Sequence, residues 1–284
     1  MRMARLKVPA DRPVGFYHCL SRVVDRRFIF GPEEKEHFVA LLREAEAFCE
    51  VRVLTFCVMA NHFHVLVGIP ARPAAQNLPD FEEVLRRLGK LSGHQDPGAV
   101  RQRLSLLRQL KDTAGEAAYL ATFHARMWDV SAFMKLLKQR FTQWYNARQG
   151  RKGTLWEERF RSVLVDGAGH ALVTMAAYID LNPVRAGIVG DPKDYRWSGY
   201  GEAMAGRRRA RLGLQTVVTA LQRGVVETVS RSLEVYRMHV CSAGSERREA
   251  VGADGRSVRG TLKHEDVLRV LAEKGRLPAE ASGG

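Results

Sequence analysis

The apolar positions of the chain switch between the two-residue period of a strand and the 3.6-residue period of a helix, and the switches divide it into elements. Phe16 to Val24 (FYHCLSRVV), after Pro13, is rich in aromatic and β-branched residues and predicts a first strand. Pro32-Glu33-Glu34 then opens a stretch in which Phe38, Leu41, Leu42, Ala45 and Phe48 recur at helical spacing. Val51 to Met59 and His62 to Ile69 predict two strands separated only by Ala60-Asn61, which is hairpin spacing, and Pro70 and Pro73 stop the second. From Ala71 to Met127 the pattern breaks around prolines and glycines and leaves two short amphipathic pieces, Phe81 to Leu91 and Val100 to Leu110, which predicts a helical insertion. A stronger helix follows Asp129 as N-cap, with Val130, Phe133, Met134, Leu137, Phe141 and Trp144 as its apolar stripe and Gly150 at its end. Arg161 to Asp166 predicts a fourth strand, and Leu172 to Arg185 a further helix closed by Asn182-Pro183.

Without the insertion the order is strand, helix, strand, strand, helix, strand. That order predicts an α+β chain of the split βαβ, ferredoxin-like kind, an antiparallel sheet with helices packed on it. Residues 1–200 hold this unit and its insertion at 71–127. Residues 201–284 carry the basic run Arg207-Arg208-Arg209-Ala210-Arg211, short helical patterns and a glycine-rich patch from Gly252 to Gly260, and predict an accessory basic helical tail.

Composition adds a partner class. The 284 residues, 45% hydrophobic, are enough for a sizeable core, and the formal charge of +14 attracts polyanions, of which nucleic acid is the usual one. A ribosome-associated or merely adhesive surface is the bland alternative. No uncharged apolar run approaches a membrane span and no signal-peptide region follows the basic start, so the expectation is a soluble, cytoplasmic, nucleoid-associated protein with no membrane partner. Cys19, Cys49, Cys57 and Cys241 are too few and too irregular for a disulfide scaffold, which predicts reduced thiols.

Two sets of residues carry chemistry. His62-Phe63-His64 opens a strand, where alternation points both imidazoles to one face and Phe63 to the other, half of a metal site. On spacing alone this is also what chance leaves on a solvent face, and zinc completed by Cys57 or Cys49 would be an irregular site. His18, one strand away, is expected to be structural or to support the pair. On the strong helix, Lys138, Thr142, Tyr145 and Gln149 fall along one face beside the buried stripe. By itself that face reads as an amphipathic edge with Tyr145 half in the core. The helix runs into a cationic segment, with nine basic residues against three acidic ones from Arg126 to Arg161 and aromatic residues between them. Lys138, Arg148, Arg151, Lys152, Trp156, Arg159 and Arg161 are the candidates there for holding single-stranded nucleic acid, arginine and lysine for phosphates and aromatic faces for bases.

Five strings in order make a resemblance specific: Tyr17-His18 with Ser21-Arg22; Val58 to Val67 (VMANHFHVLV); Phe133-Met134-Lys135 to Phe141 to Asn146 (FTQWYN); Gly153 to Phe160 (GTLWEERF); and Tyr178 to Gly187 (YIDLNPVRAG). Together they resemble the single-tyrosine HUH transposases, most of all the REP-associated tyrosine transposase branch, over roughly Phe16 to Tyr200 apart from the insertion. The resemblance implies a metal-assisted DNA strand transferase acting on single-stranded DNA with a hairpin or palindrome, as monomer or homodimer. It implies that His62 and His64 bind a divalent cation, Mg²⁺ or Mn²⁺. It assigns the nucleophile to a helix tyrosine with an amide or imidazole ligand four residues on, a pattern that Tyr145 and Gln149 match. Attack on phosphorus would leave a 5′-phosphotyrosine and a free 3′-hydroxyl, with no nucleotide cofactor and no Walker loop to bind one. The competing classes are a non-catalytic hairpin-binding protein derived from a transposase, and a nuclease in which water attacks and Tyr145 only stacks.

Overall fold

A computed structural model describes residues 12–91, 96–222, 228–245, 262 and 264–275. The glycine-rich patch at 252–260 lies outside the described residues. Four strands, β1 (Val14–Arg22), β2 (Arg52–Val58), β3 (His62–Pro70) and β4 (Arg161–Val165), form one antiparallel sheet in the order β2-β3-β1-β4. With α1 (Pro32–Cys49) between β1 and β2 and α5 (Val130–Arg148) before β4, this is the expected α+β arrangement. The first strand ends two residues early: Val23 bridges to Trp156, and the chain turns through Val24–Arg26, where Asp25 and Arg26 take the left-handed backbone region.

Alternation along the strands builds two cores. Phe63, Val65 and Val67 of β3 face α1 and α5 and join Phe38, Phe133 and Phe141. Leu66 of β3 faces the other way, with Leu54 and Cys57 of β2, toward α6 (His170–Asp180). The expected helix from Leu172 to Arg185 is two helices, because Pro183 lacks the amide that would continue α6; α7 (Asn182–Arg185) starts there instead.

Three helices fill the insertion, α2 (Phe81–Leu88), α3 (Pro97–Gln109) and α4 (Thr113–His124), each capped by an aspartate side chain, Asp80, Asp96 and Asp112, on a backbone N–H. The fourth such cap, Asp129, starts α5 as its sequence predicts.

After Tyr195 the chain stays on the sheet. Helices α8 (Gly199–Met204), α9 (Arg208–Leu221) and α10 (Val229–Gly244) enclose the second core with Tyr200, Leu214, Val218, Tyr236 and Val240. Gly213 lets α9 lie directly on β2: a Cβ there would stand 2.5 Å from the Leu54 carbonyl oxygen. A last helix, α11 (His264–Ala272), packs on α10.

Candidate functional site

The strand register assembles the site. Arg22 pairs with His62 and Leu20 with His64, while on the other side of β1 His18 pairs with Val163 and Leu20 with Arg161. Paired residues share a face, so Arg22, His62, His64, His18 and Arg161 all project on the α6 side. Toward β4 that face is open: Val163 is 56% exposed and His18 and Leu20 are half-buried.

Hydrogen bonds leave each site imidazole with one nitrogen free. His62 Nδ1 lies 2.8 Å from Asn61 Oδ1, and Asn61 is oriented by its Nδ2, which donates to the Arg26 carbonyl at 3.0 Å. The amide oxygen only accepts, so His62 carries its proton on Nδ1 and presents the Nε2 lone pair. His64 Nδ1 faces His18 Nε2 at 2.9 Å, the two rings stacked with an interplanar angle of 8°. Burial holds His62 down at about 4 and His64 at about 3, with Arg22 adding to both, and lowers His18 too, so the cluster is neutral at ordinary pH. His18 thus has the supporting place expected of it.

The tyrosine that meets these histidines is Tyr178 on α6. Its ring stands edge-on to His64 at 5.9 Å and to His18 at 6.3 Å, and it is 43% exposed. Arg185, exposed at the end of α7, donates to the Tyr178 carbonyl at 3.1 Å and lays its guanidinium 5.0 Å over the ring. Four residues after Tyr178, the half-buried Asn182 spends Nδ2 on the carbonyls of Tyr178 and Ile179, and its Oδ1 has no hydrogen bond among the described residues.

The positions expected on α5 are corrected by the same geometry. Tyr145 is 8% exposed, sits 6.1 Å from Phe141 in the α1/α5 core and has Arg151 over its ring, on the face opposite the two histidines. Gln149 is the exposed C-cap of that helix and does not join them. Lys138 is buried: its Nζ donates to the Glu158 carbonyl at 2.9 Å, and burial lowers it to about 8. Trp156 is buried as well, its Nε1 donating to Thr142 Oγ1 at 2.9 Å, so it offers no open face to a base. Arg148 pairs with Glu33 and Arg161 with Glu158, both on the surface, while Lys152 and Arg159 are exposed and Arg151 half-exposed. Arg22, Tyr178, Asn182 and Arg185 were not singled out as site residues from the sequence. The signal available for Tyr178, Asn182 and Arg185 is the string Tyr178 to Arg185 itself, which repeats the tyrosine-to-amide spacing of Tyr145 and Gln149, and for Arg22 it is the Ser21-Arg22 string.

Among the described residues, no group of three or more His, Cys, Asp and Glu side chains is arranged to hold a metal ion. Cys57, opposite His64 in the register, is fully buried, turns its Sγ to Met59 Sδ and is pushed well above the ordinary thiol value by burial; Cys49 is buried and pushed up to about 12 for the same reason, so neither completes a thiolate site. The donors that do fit a divalent cation are two neutral imidazoles, at least one held ligand-ready through Nδ1.

An open antiparallel sheet bearing a histidine pair, with a tyrosine from a covering helix against it, defines the class of the site. Residues 15–78, which carry β1, α1, β2 and β3 and with them both histidines, match a family model described as IS200-like transposase. Of the five motif strings, the first two lie in that segment. A solved structure described as the REP-associated tyrosine transposase bound to a REP hairpin aligns with 72% of this chain and 87% of its own, at 14% identity and a TM-score of 0.42. No curated protein matches the chain. No described helix is long and apolar enough to cross a membrane.

Proposed function

We propose that this protein is a metal-assisted, tyrosine-dependent endonuclease and strand transferase for single-stranded DNA at hairpin or palindromic repeats, with Tyr178 as nucleophile. The observation that carries the proposal is the approach of Tyr178 to His64 on the open face of the sheet. His62 and His64 would hold the divalent cation through Nε2, with Asn182 Oδ1 as a third donor. When bound, such an ion supplies Lewis acidity at a nonbridging phosphate oxygen.

The chain's own residues do the rest. A phenol is a weak nucleophile until it gives up its proton. Tyr178 Oη forms the bond to phosphorus as the bond from phosphorus to the 3′-oxygen breaks, and the phenolic proton ends on that 3′-oxygen. The exchange of one phosphodiester for another needs no external energy source, and a 3′-hydroxyl of a second strand reverses it. Arg22 and Arg185 flank the ring and the imidazoles with positive charge that the phosphate requires. His18 holds the His64 ring in place by stacking and by the shared hydrogen bond. The hairpin preference is carried over from the motif resemblance.

The test is incubation of the protein and Mg²⁺ or Mn²⁺ with an end-labelled hairpin bearing an unpaired flank, followed by a denaturing gel. A covalent protein–DNA band that disappears in Tyr178→Phe supports the proposal. Binding without any band favours a non-catalytic hairpin-binding protein, and cleavage without a band favours attack by water.

A further inference from the structure

Phe28 is the most exposed large apolar side chain among the described residues, at 81%, and it stands in a turn that is hydrogen-bonded on both sides to Ala60 and Asn61. Val23 N donates to the Asn61 carbonyl at 2.9 Å, Asn61 Nδ2 donates to the Arg26 carbonyl at 3.0 Å, and Phe30 N donates to the Ala60 carbonyl at 3.0 Å. Between these anchors Ile29 N donates to the Arg27 carbonyl at 3.1 Å, so Phe28 is the middle residue of a three-residue turn. Two consecutive non-glycine residues before it, Asp25 and Arg26, adopt left-handed backbone, with φ of 55° and 54°. Such conformations cost free energy and persist where surrounding contacts impose them. Arg26 and Arg27, both exposed, adjoin the ring in sequence.

The turn and the metal-ligand candidate share one side chain. The Asn61 amide accepts from His62 Nδ1 with its oxygen and holds the Arg26 carbonyl with its nitrogen. An exposed aromatic side chain next in sequence to two exposed arginines, on a turn tied to the residue that orients His62, has the chemistry that grips an unpaired nucleotide: cations for the phosphates and a ring for the base. We propose that Phe28 is a stacking platform for an unpaired base of the single strand next to the cleavage site, with Arg26 and Arg27 on the adjacent phosphates. This rests on the proposed function and adds to it the residue that distinguishes unpaired flank from paired stem.

The experiment is equilibrium binding of a fluorescein-labelled DNA hairpin with a single-stranded flank, and of the same hairpin blunt-ended, to the full chain and to Phe28→Ala and Phe28→Trp, with thermal melts to verify that the surface changes leave the fold intact. Phe28→Ala should weaken binding of the flanked hairpin about ten-fold, the size of one lost base–aromatic stack, while blunt-hairpin affinity stays unchanged. Phe28→Trp should restore affinity, and its added indole emission should be quenched by the flanked hairpin alone. Equal binding of both hairpins by wild type and Phe28→Ala, or an equal loss on both, overturns the stacking role while the Tyr178 adduct still stands. Failure of the wild-type chain to bind either hairpin overturns the function on which the proposal rests.

Discussion

Tyr178 meets His64 edge-on, at 5.9 Å and 82° between ring planes, while Tyr145 lies under the opposite face of the same sheet against Phe141. One β-sheet separates the two phenols, and only the first shares a face with the histidine pair. Tyr178→Phe should therefore abolish the covalent DNA adduct and cleavage and leave hairpin affinity within a few-fold, since the ring remains. Tyr145→Phe should leave adduct formation near the wild-type rate. A denaturing gel of both variants decides it, and an adduct that persists in Tyr178→Phe but vanishes in Tyr145→Phe would reverse the assignment.

That relationship also marks where reading the sequence stops. The strand alternation in HFHVLV is enough to place both imidazoles opposite Phe63, Val65 and Val67, and the sheet shows that division. The Asp129 cap and the Ala60-Asn61 hairpin are local features, and they too are visible in the chain. Choosing the tyrosine is different, because Tyr145 with Gln149 and Tyr178 with Asn182 present the same spacing. What separates them is which helix covers which face, a long-range property set by the β2-β3-β1-β4 order. Burial of Lys138 and Trp156 is hidden for the same reason: a charge pattern counts cations without showing that one of them caps a carbonyl inside the core. Helix α4 has almost no amphipathic stripe to betray it; Asp112 at its start is the one local signal.

Substitution of the metal-ligand candidates should separate the two amides as well. His62→Ala and His64→Ala should each eliminate Mg²⁺- or Mn²⁺-dependent cleavage. Asn182→Ala should raise the metal concentration needed for half-maximal cleavage with a smaller loss at saturation, because water can replace a neutral amide oxygen. Gln149→Ala should behave as wild type. The measurement is cleavage rate against metal concentration, and full activity in EDTA would remove the ion from the reaction.

Residues beyond 200 are expected to be indispensable for folding. Tyr236 of α10 and Thr55 of β2 both donate to the buried Asp180 carboxylate, Thr55 at 2.6 Å, which ties α10 and the sheet to the helix that carries Tyr178. A fragment ending at residue 200 would leave that carboxylate short of a donor and expose the second core where α9 and α10 cover it. It should show no cooperative thermal unfolding transition. In the full chain Asp180→Ala should cost about 3 kcal/mol, since it leaves two buried hydroxyl donors unsatisfied. A fragment that melts like the full chain would establish residues 1–200 as an independent unit.

Lys138 gives stability a pH dependence of known sign. Its ammonium is held at about 8 in the folded protein against an ordinary value of 10.5, chiefly by burial. Below about 8 both states are charged and the folded state bears the whole cost of burying the ion. Between about 8 and 10.5 the folded protein releases the proton and the unfolded chain keeps it, so this residue makes stability rise with pH across that window. Relative to Lys138→Met, which has nothing to titrate, the wild-type chain should gain about 3 kcal/mol over it, read from urea unfolding at each pH. Parallel pH curves for the two proteins would show that the Lys138 ammonium is solvated.

Salt dependence tests which face holds DNA. Each phosphate neutralised on a single strand contributes about 0.7 to the fall of log K with log salt concentration. Arg22 and Arg185 stand on the open face beside His62 and Tyr178, so Arg22→Gln and Arg185→Gln should each flatten the slope by about that amount. Arg161, on the same face, is paired among the described residues with Glu158 at the surface, a contact weak enough to yield to a phosphate, and Arg161→Gln should act likewise. Arg148 and Arg151 belong to the end of α5 on the far side, against Trp144 and Tyr145, and their replacement should change the slope little. A slope that responds to Arg148 and Arg151 and ignores Arg22 and Arg185 would move the DNA to the α5 face, away from both histidines, and Tyr178 could then no longer be the residue that attacks it.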